Sequence, residues 1–401
     1  MSRYSLNWKF IVLLAGLIII LCFVSQHIFY TYTLDSSVLR AKILNKYVYD
    51  QEQNHVKYIL FWTSFFKIKN WGMESETYYQ DYLESIKCPV TNCIFTNNKR
   101  LLNASHKYDT LIFHGAEAWL SLNLPATRTA NQIYIMATQE SPGEIKHSLN
   151  KDHDFYNLTM TYRLDSDVVF AYGSTIDLST NSKIAPAEHV NWRKPNEDFY
   201  DEEVENITLK KTKTAAWFVS HCEVFSQREK LVSELQKFID VDIYGGCGNL
   251  TCPQNSDACM NILEADYKFY FSFENTLCVD YVTEKVFKVM NSYIIPVVYS
   301  GAEMTRFIPP HSFVDANDFE TPKDLADYLK YLSDNPKEYI KYFWWKKHYR
   351  VINEGAVDFC SLCKKLHEFD SLSKRQTYVD ILRWYFNGAC HKPKIKFELN
   401  L

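Results

Sequence analysis

The stretch from Tyr267 to Gly301 constrains the fold of this chain more than any other. Lys268 to Phe273 is an aromatic run typical of a strand, and Ile294 to Tyr299 is a second apolar run. Between them, Val282 to Asn291 carries apolar residues at helical spacing. The order of strand, helix and strand predicts a βαβ unit, whose two strands are parallel.

The loop before this helix carries polar residues where a ligand could bind. In open α/β sheets, ligands bind where strands end and helices begin, because free N–H groups and the helix dipole favour anions there. Asp280 and Thr283 stand at possible N-cap positions, and Lys285 in the first turn is unfavourable unless an anion lies beside it. The pattern fits a nucleotide-like anion site, and it also fits a solvated loop. The polar residues at this junction are Glu274, Asn275, Tyr281, Glu284 and Lys285.

A second unit of the same kind precedes the first. Ala215 to Ser220 and Val241 to Gly245 are predicted strands, and Ser226 and Glu229 form an S-x-x-E capping box that opens a helix between them. Arg228 falls in the first turn of that helix, which favours a bound anion over an exposed arginine.

The rest of the chain also alternates strands with helical segments. A charged stretch at 191–213 without an apolar stripe indicates a linker. Further helices are predicted at Pro336 to Tyr349, at Lys374 to Phe386 and after Thr321, where Pro322 occupies the first turn. Three apolar strands predict a first parallel α/β domain. They are Lys57 to Trp62, Asp109 to His114 and Gln132 to Ala137.

The N-terminus carries an unbroken apolar run from Phe10 to Val24. A membrane-spanning signal-anchor and a cleaved signal peptide compete as interpretations, and the anchor is favoured because no A-x-A-like site follows. Arg3 and Lys9 precede the run and no positive charge follows before Arg40, so the N-terminus is expected in the cytosol. We predict a cytoplasmic tail at 1–9, a transmembrane helix at 10–30 and a stem at 31–55.

The sequons and cysteines after the apolar run are consistent with a lumenal location for that part of the chain. Of the 11 cysteines, Cys22 lies in the apolar run, and the others are disulfide candidates in an oxidising compartment. Cys360 and Cys363 form a CxxC pair, but no second pair completes a zinc set, so we predict no metal site. The net charge of −4 without a long basic run argues against nucleic acid as a partner. N-x-S/T sequons occur at Asn103, Asn157, Asn206 and Asn249.

The stretch from Tyr267 to Gly301 resembles the signature of the α1,3-fucosyltransferases, glycosyltransferase family 10. That signature reads F-x-F-E-N-(S/T), D-Y-(V/I)-T-E-K, a helix, and P-V-V. The matching positions are Phe271, Phe273, Glu274, Asn275, Asp280, Tyr281, Thr283, Glu284, Lys285, Pro296, Val297 and Val298. Other segments resemble the same family, and these are Ala216 to Cys222 with Arg228, Tyr244 to Gly248, Met160 to Gly173, Glu140 to Pro142, and Phe359 to Cys363.

The resemblance implies an α/β fold of the GT-B type, in which two Rossmann-like domains face each other across a cleft. The first domain would handle the acceptor and the second would bind the nucleotide sugar. It also implies that Cys88 and Cys93 pair with the two cysteines of the CxxC segment. The implied division is an N-terminal domain at 56–195, a linker at 196–213, a donor domain at 214–365, and a C-terminal helix and tail at 366–401.

The resemblance further implies transfer of L-fucose from GDP-β-L-fucose to a GlcNAc hydroxyl, with inversion to an α1,3 linkage by a single displacement. Glu140 would be the general base, with Asp165, Asp167 and Glu117 as substitutes. No cofactor is implied, a divalent metal is not expected to be essential, and Asp165 and Asp167 are interpreted as part of another motif. The residues implied to bind the donor are Ser220, Arg228, Asn275, Tyr281, Glu284 and Lys285.

The acceptor stays open between a LacNAc or LacdiNAc antenna and the chitobiose core of N-glycans. Leu164, Ala171, Gly115 and Ala116 depart from the family pattern, and all lie in the implied acceptor domain. The expected partners are GDP-fucose, a glycan acceptor on a glycoprotein or glycolipid, and the membrane of a Golgi cisterna, with the catalytic domain in the lumen. Two alternatives remain: a catalytically silent member that binds glycans in the lumen, and a transferase that uses another nucleotide sugar.

Overall fold

The computed structural model describes residues 56–68, 71, 78–85, 87–117, 124–145, 153–252, 257–353, 358–369 and 377–396. The predicted tail, transmembrane helix and stem, at 1–9, 10–30 and 31–55, lie outside these described residues. Among the described stretches, no helix combines the length and apolarity needed to cross a membrane.

The described residues form strands and helices in alternation along most of the chain. The strands are β1 Lys57–Phe61, β2 Cys93–Thr96, β3 Thr110–His114, β4 Ile133–Thr138, β5 Leu158–Thr161, β6 Val168–Val169, β7 Gly173–Asp177, β8 Ser182–Ala185, β9 Lys213–Phe218, β10 Val241–Tyr244, β11 Tyr267–Phe273, β12 Ile295–Tyr299, β13 Val314–Asp315 and β14 Tyr349–Asn353. The α-helices are α1 Tyr78–Ser85, α2 Pro142–Ile145, α3 Glu202–Thr208, α4 Arg228–Leu235, α5 Asp257–Asp266, α6 Glu284–Met290, α7 Pro322–Asp334, α8 Pro336–Ile340, α9 Phe359–Glu368 and α10 Ile381–Phe386. Short 3₁₀ helices lie at Ser105–Lys107, Met304–Arg306, Ala316–Asp318 and Lys341–Lys347.

Two parallel sheets carry the fold. The first has six strands in the order β2-β1-β3-β4-β5-β6, and the second has five in the order β10-β9-β11-β12-β13. β3, β4 and β12 are buried along their whole length, as expected for parallel strands covered on both faces. A smaller antiparallel sheet has the order β14-β7-β8. The two predicted parallel α/β units are therefore confirmed.

The βαβ unit at Tyr267 to Gly301 forms as predicted. β11 and β12 pair in parallel, with Phe271 opposite Val297, and α6 connects them. The cap predicted at Thr321 is also confirmed, since its hydroxyl accepts from the Asp324 N–H in a reciprocal capping box. Pro322 occupies the first turn of α7.

The structure differs from three local predictions. Ser226 does not cap α4, because its hydroxyl donates to the Glu274 carbonyl at 2.7 Å, and the helix begins after Gln227 instead. The predicted linker at 191–213 contains α3, whose N-terminus is capped by the Asp201 side chain. The long helix predicted at 336–349 is α8 followed by a 3₁₀ helix, and Tyr349 already begins β14.

The helix α9, which follows the second sheet in the sequence, packs against the first sheet. Phe359, Leu362 and Leu366 of α9 are buried in the same core cluster as Ile59 and Phe95 of β1 and β2. The sequence-based division placed most of α9 in the donor domain at 214–365. The structure differs because the apolar face of this helix packs on the other sheet.

All ten cysteines beyond Cys22 are joined in disulfides, which confirms that prediction and the two pairs implied by the resemblance. The first two bonds fasten α9 to the beginning of the first sheet. The pairs are Cys88 with Cys360, Cys93 with Cys363, Cys222 with Cys247, Cys252 with Cys259, and Cys278 with Cys390.

Candidate active site

The carboxyl edges of the two parallel sheets meet, and the predicted site residues lie around this junction. The Thr276 hydroxyl, after β11, donates to the Ser141 hydroxyl, after β4, at 2.7 Å. The Leu164 N–H, after β5, donates to Asp280 Oδ2 at 3.1 Å. Because ligands of open α/β sheets bind outside the carboxyl ends of the strands, this junction is the candidate site.

Glu140 follows β4 and stands at the start of the loop that leads into α2. Its N–H donates to Thr138 Oγ1 at 3.1 Å, and its carbonyl accepts from the Tyr385 hydroxyl. Tyr172 donates to the neighbouring carbonyl of Gln139 at 3.0 Å. These contacts hold the main chain on both sides of the Glu140 side chain, which is itself partly buried.

The environment of Glu140 raises the pKa of its carboxyl group to about 7. Burial is the largest cause, and the negative charges of Glu144, Glu284 and Glu274 act in the same direction, while the positive charge of Lys285 opposes them. Three of these charges lie directly after β11 or in α6, so Glu140 faces the side of the junction that the second sheet forms. A carboxyl group with a pKa near the working pH is suited to proton transfer.

On the opposite side, Glu274 directly follows β11 and binds the beginning of α6. Its Oε1 accepts from the N–H of Thr283 at 2.8 Å, and both carboxylate oxygens accept from the Thr283 hydroxyl at 2.9 Å. Its Oε2 forms an ion pair with Lys285 Nζ at 3.0 Å. Glu274 is buried and fully engaged in these contacts, so its role is to shape the site.

Lys285 brings a positive charge to the junction. Burial lowers its pKa, but the charges of Glu274 and Glu284 outweigh that effect, and the pKa lies above its usual value. Its side chain is 19% exposed, and Nζ also donates to the Thr283 hydroxyl at 2.7 Å. The sequence predicts an anion beside Lys285, and in the structure the carboxylate of Glu274 occupies that position.

Arg228 differs from the expectation that a bound anion explains its position. It is 2% exposed, and its guanidinium donates to the carbonyls of Phe273 at 2.8 Å and His221 at 2.7 Å. A third donor, Nε, reaches Glu229 at 3.3 Å. Main-chain carbonyls therefore satisfy the arginine, which ties the end of β11 to the loop before α4. Its charge still acts on the site, since it lowers the pKa of Lys285.

Tyr281 also differs from its predicted role. It is 2% exposed, and its ring packs 4.9 Å from that of Tyr162, edge to face. The side chain is part of the core beneath the junction and presents no surface to a donor in this structure. Asp280, predicted as a possible cap, instead pairs with Arg306 at 2.8 Å.

The other predicted donor-binding residues differ in exposure, since Ser220 and Glu284 are exposed and Asn275 is half-buried. Ser220 is exposed after β9, where its hydroxyl accepts from the Gly246 N–H at 3.4 Å. The Glu284 side chain is 49% exposed at the start of α6. Asn275 is half-buried, and its Oδ1 is buried without a hydrogen-bond partner among the described residues.

The substitutes for the base are engaged elsewhere. Asp165 pairs with Arg163 at 2.7 Å, and Asp167 accepts from the Thr159 N–H at 2.9 Å. Glu117 accepts from the N–H of Lys67 at 2.7 Å. Each carboxylate has a structural partner in the first sheet or its loops, whereas Glu140 faces the junction.

Sequence reasoning missed two tyrosines that bind the main chain beside Glu140. Tyr172 lies in an A-Y-G segment of the Met160 to Gly173 motif, so a signal was present. Tyr385 lies 245 residues after Glu140, in the last helix, and nothing in its local sequence indicates the contact.

Comparisons with known proteins agree over most of the chain. The model described as "Fucosyltransferase, N-terminal" matches residues 54–173, and "Glycosyltransferase family 10 (fucosyltransferase) C-term" matches residues 208–384. Alpha-(1,3)-fucosyltransferase C of Drosophila melanogaster is 43% identical over 88% of this chain and 84% of its own length. Alpha-(1,3)-fucosyltransferase fut-1 of Caenorhabditis elegans is 35% identical over 78% of this chain and 68% of its own length.

Solved structures include a similar chain as well. The crystal structure of an alpha1,3-fucosyltransferase with GDP-fucose has a TM-score of 0.48 at 18% sequence identity, covering 79% of this chain and 91% of that chain. The family models and the two relatives decide the assignment. This chain therefore belongs to glycosyltransferase family 10, the fucosyltransferases, and is an enzyme of that family.

Proposed function

We propose that this enzyme transfers L-fucose from GDP-β-L-fucose to a GlcNAc hydroxyl of a glycoprotein or glycolipid glycan, forming an α1,3 linkage. The observation that carries the proposal is the position of Glu140, whose pKa is raised to about 7, opposite the Lys285 charge at the meeting edges of two parallel sheets. The related proteins of Drosophila melanogaster and Caenorhabditis elegans are named as α1,3-fucosyltransferases. A GT-B arrangement, with acceptor and donor on opposite sides of the junction, fits this geometry.

An α-linked product from a β-linked donor requires inversion at the fucose carbon, and a single in-line displacement achieves it. Glu140 takes the proton of the attacking GlcNAc hydroxyl, so that the oxygen becomes nucleophilic as the bond forms. The bond to the diphosphate breaks on the opposite face, and negative charge builds up on the leaving GDP. We propose that the positive charge of Lys285 stabilises the leaving diphosphate.

The two positive charges act on the donor in different ways. Nζ of Lys285 binds a phosphate oxygen while it also keeps its contact with Glu274, and the buried Arg228 adds positive electrostatic potential from the protein interior. Ser220, Asn275 and Glu284 supply hydrogen bonds to the sugar or the nucleoside. We propose that two protein charges serve the diphosphate, so that no divalent metal is essential.

We expect activity to fall at acidic pH with a midpoint near the pKa of Glu140. The base works only when ionised, and its pKa of about 7 lies above the usual value of a glutamate, so kcat/KM rises as the pH increases through about 7. The measurement is kcat/KM against pH at fixed ionic strength. We call the decrease of kcat/KM on the acidic side of this profile the acid limb. An acid limb with a midpoint near pH 4 to 5, about the pKa of an ordinary carboxyl group, would contradict this assignment.

The proposed location is the membrane of a Golgi cisterna, with residues beyond the predicted anchor in the lumen. The apolar run at 10–24, the charges of Arg3 and Lys9 before it, and five disulfides in the described part of the chain support this proposal. The membrane and the glycan acceptor are then the partners of the enzyme in the cell.

The decisive experiment is fucose transfer by the full chain onto glycans with LacNAc, LacdiNAc or chitobiose-core acceptors, with and without EDTA. We expect product on one acceptor class and no effect of EDTA. GDP should also protect the enzyme in a thermal-shift assay, by about 2.7 kcal/mol at a concentration of 100 Kd, whereas UDP and CMP should not. Equal protection by UDP would favour another nucleotide sugar. Protection by GDP without any product would favour a catalytically silent member.

A further inference from the structure

The last described stretch of the chain, residues 377–396, contacts both sides of the junction. We call this stretch the C-terminal segment. It includes α10, whose N-terminus is capped by Asp380, and the buried side chains of Ile381 and Tyr385 lie in one core cluster with Cys278 and Tyr281. It therefore packs beneath the site and is not a free tail.

On the acceptor side, hydrogen bonds fix the C-terminal segment to loops of the first sheet. The Tyr378 N–H donates to the Tyr156 carbonyl at 2.8 Å, and the Tyr378 hydroxyl donates to Asp167 at 2.9 Å. Arg163 Nη1 donates to the Trp384 carbonyl at 2.8 Å, and its guanidinium lies 4.5 Å from the centre of the Trp384 ring. Both ends of α10 are thus held against the first sheet.

On the donor side, the C-terminal segment is fastened to the loop that follows Glu274. The Val279 N–H donates to the Ala389 carbonyl at 2.7 Å. The His391 N–H donates to the Leu277 carbonyl at 2.8 Å. Between these two hydrogen bonds, the Cys278–Cys390 disulfide joins the same two stretches of the chain covalently.

Between these two anchors, Tyr385 reaches the catalytic base. Its hydroxyl donates to the main-chain carbonyl of Glu140, and its side chain is fully buried. The contact is to the main chain, so it leaves the Glu140 carboxyl group free to react. This hydrogen bond fixes the position of Glu140 relative to the loop that follows Glu274, because the C-terminal segment binds both Glu140 and that loop.

We propose that the C-terminal segment fixes the distance between the catalytic base and the bound donor, and that Tyr385 is the positioning residue through which it does so. The proposal rests on the proposed function, in which Glu140 is the base. A hydroxyl oxygen, a base and a fucose carbon react only when they are aligned, and a displacement of about 1 Å can cost about 10²-fold in rate. The Cys278–Cys390 bond then acts on catalysis through Tyr385 and Glu140, although neither sulfur touches a substrate.

The first test is Tyr385→Phe in the full chain, which removes one hydroxyl and creates no cavity. We expect kcat to fall by about 10²-fold with unchanged KM for GDP-fucose and unchanged protection by GDP. Loss of the hydrogen bond frees the loop and hydrates Glu140, so the acid limb of the pH profile should move to lower pH. Tyr134→Phe is the matched control, because the hydroxyl of Tyr134, on β4, is buried without a hydrogen-bond partner among the described residues. It should keep the wild-type kcat and pH profile.

The second test removes the covalent anchor with Cys278→Ala and Cys390→Ala together. We expect a lower kcat in this double variant. Adding Tyr385→Phe to it should lower kcat by a smaller factor than Tyr385→Phe does in the wild type, because both changes act through the C-terminal segment. Cys252→Ala with Cys259→Ala is the matched control, since it removes a disulfide that does not join the C-terminal segment.

The outcomes separate this inference from the proposed function. If Glu140→Gln abolishes transfer while Tyr385→Phe keeps the wild-type kcat and acid limb, the inference is overturned and the base assignment stands. If Glu140→Gln keeps near-normal transfer, the base assignment fails, and the positioning role of Tyr385 fails with it. Strictly additive effects of Tyr385→Phe and the double cysteine variant would show that the two do not act together, and would overturn the coupling.

Discussion

Replacing Glu140 with glutamine is expected to lower kcat by about 10²- to 10⁴-fold, the usual contribution of a general base, while protection by GDP is retained. The amide has the size of the carboxyl group and can keep the main-chain contacts to Thr138 and Tyr385, but it accepts no proton at any working pH. The change also removes a negative charge opposite Lys285, so GDP affinity should not decrease. The measurements are initial rates well above the pKa of Glu140 and thermal shifts with GDP.

Glu144→Gln is the matched control for this change. Glu144 lies in α2, four residues beyond Glu140, and its charge raises the pKa of Glu140. Its removal should therefore move the acid limb of the pH profile to lower pH and leave the plateau rate close to that of the wild type. A near-normal rate in Glu140→Gln, or a large loss in Glu144→Gln alone, would disqualify Glu140 as the base.

Replacing Lys285 with alanine is expected to weaken GDP binding by about 10- to 150-fold, the equivalent of one lost charge-assisted hydrogen bond of about 1.5–3 kcal/mol. The transfer rate should fall by about 10²- to 10³-fold, because the positive charge acts most strongly on the departing diphosphate. The pKa of Glu140 should rise further, because Lys285 now lowers it. The measurements are GDP titration by calorimetry, and kcat as a function of pH.

The buried partner of Lys285 requires its own control. Without the lysine, Glu274 would be left as a buried charge that lacks its ion pair, which destabilises a fold by about 3–5 kcal/mol. Glu274→Gln combined with Lys285→Ala removes both charges, and this double variant should fold but still bind GDP about 10- to 150-fold more weakly than the wild type. Lys268→Ala removes a lysine at the other end of β11, where Nζ donates to the Ser333 carbonyl, and should bind GDP normally. Normal GDP binding in the double variant would place the phosphate site elsewhere.

Much of the second sheet could be predicted because its signals are local. The apolar strands β11 and β12 and the helix between them are each specified by residues within a few positions, and the structure places them within one or two residues of the expected bounds. Buried parallel strands leave continuous apolar runs, which are easily distinguished from amphipathic helices. The cap at Thr321 is equally local.

The contacts that shape the site could not be predicted in the same way, because they join residues far apart in the chain. Helix-start positions alone suggested bound anions beside Arg228 and Lys285. The structure supplies main-chain carbonyls to the first and the Glu274 carboxylate to the second. Tyr281 matched a family motif, but only tertiary packing shows that its ring is buried against Tyr162. A motif therefore indicates where the candidate site lies, and the fold decides which of its residues are exposed there.

The return of α9 to the first sheet has a consequence for how the protein is made. Cys88 precedes its partner Cys360 by 272 residues, and Cys93 precedes Cys363 by 270. At about 5–20 residues per second, a ribosome needs roughly 15 to 55 seconds to deliver the second cysteine after the first. During that interval the two early thiols can form non-native bonds, which thiol–disulfide exchange must later undo. The first sheet, although synthesised early, thus completes its core among the last parts of the molecule, and the yield of folded protein should depend on the rate of disulfide isomerisation.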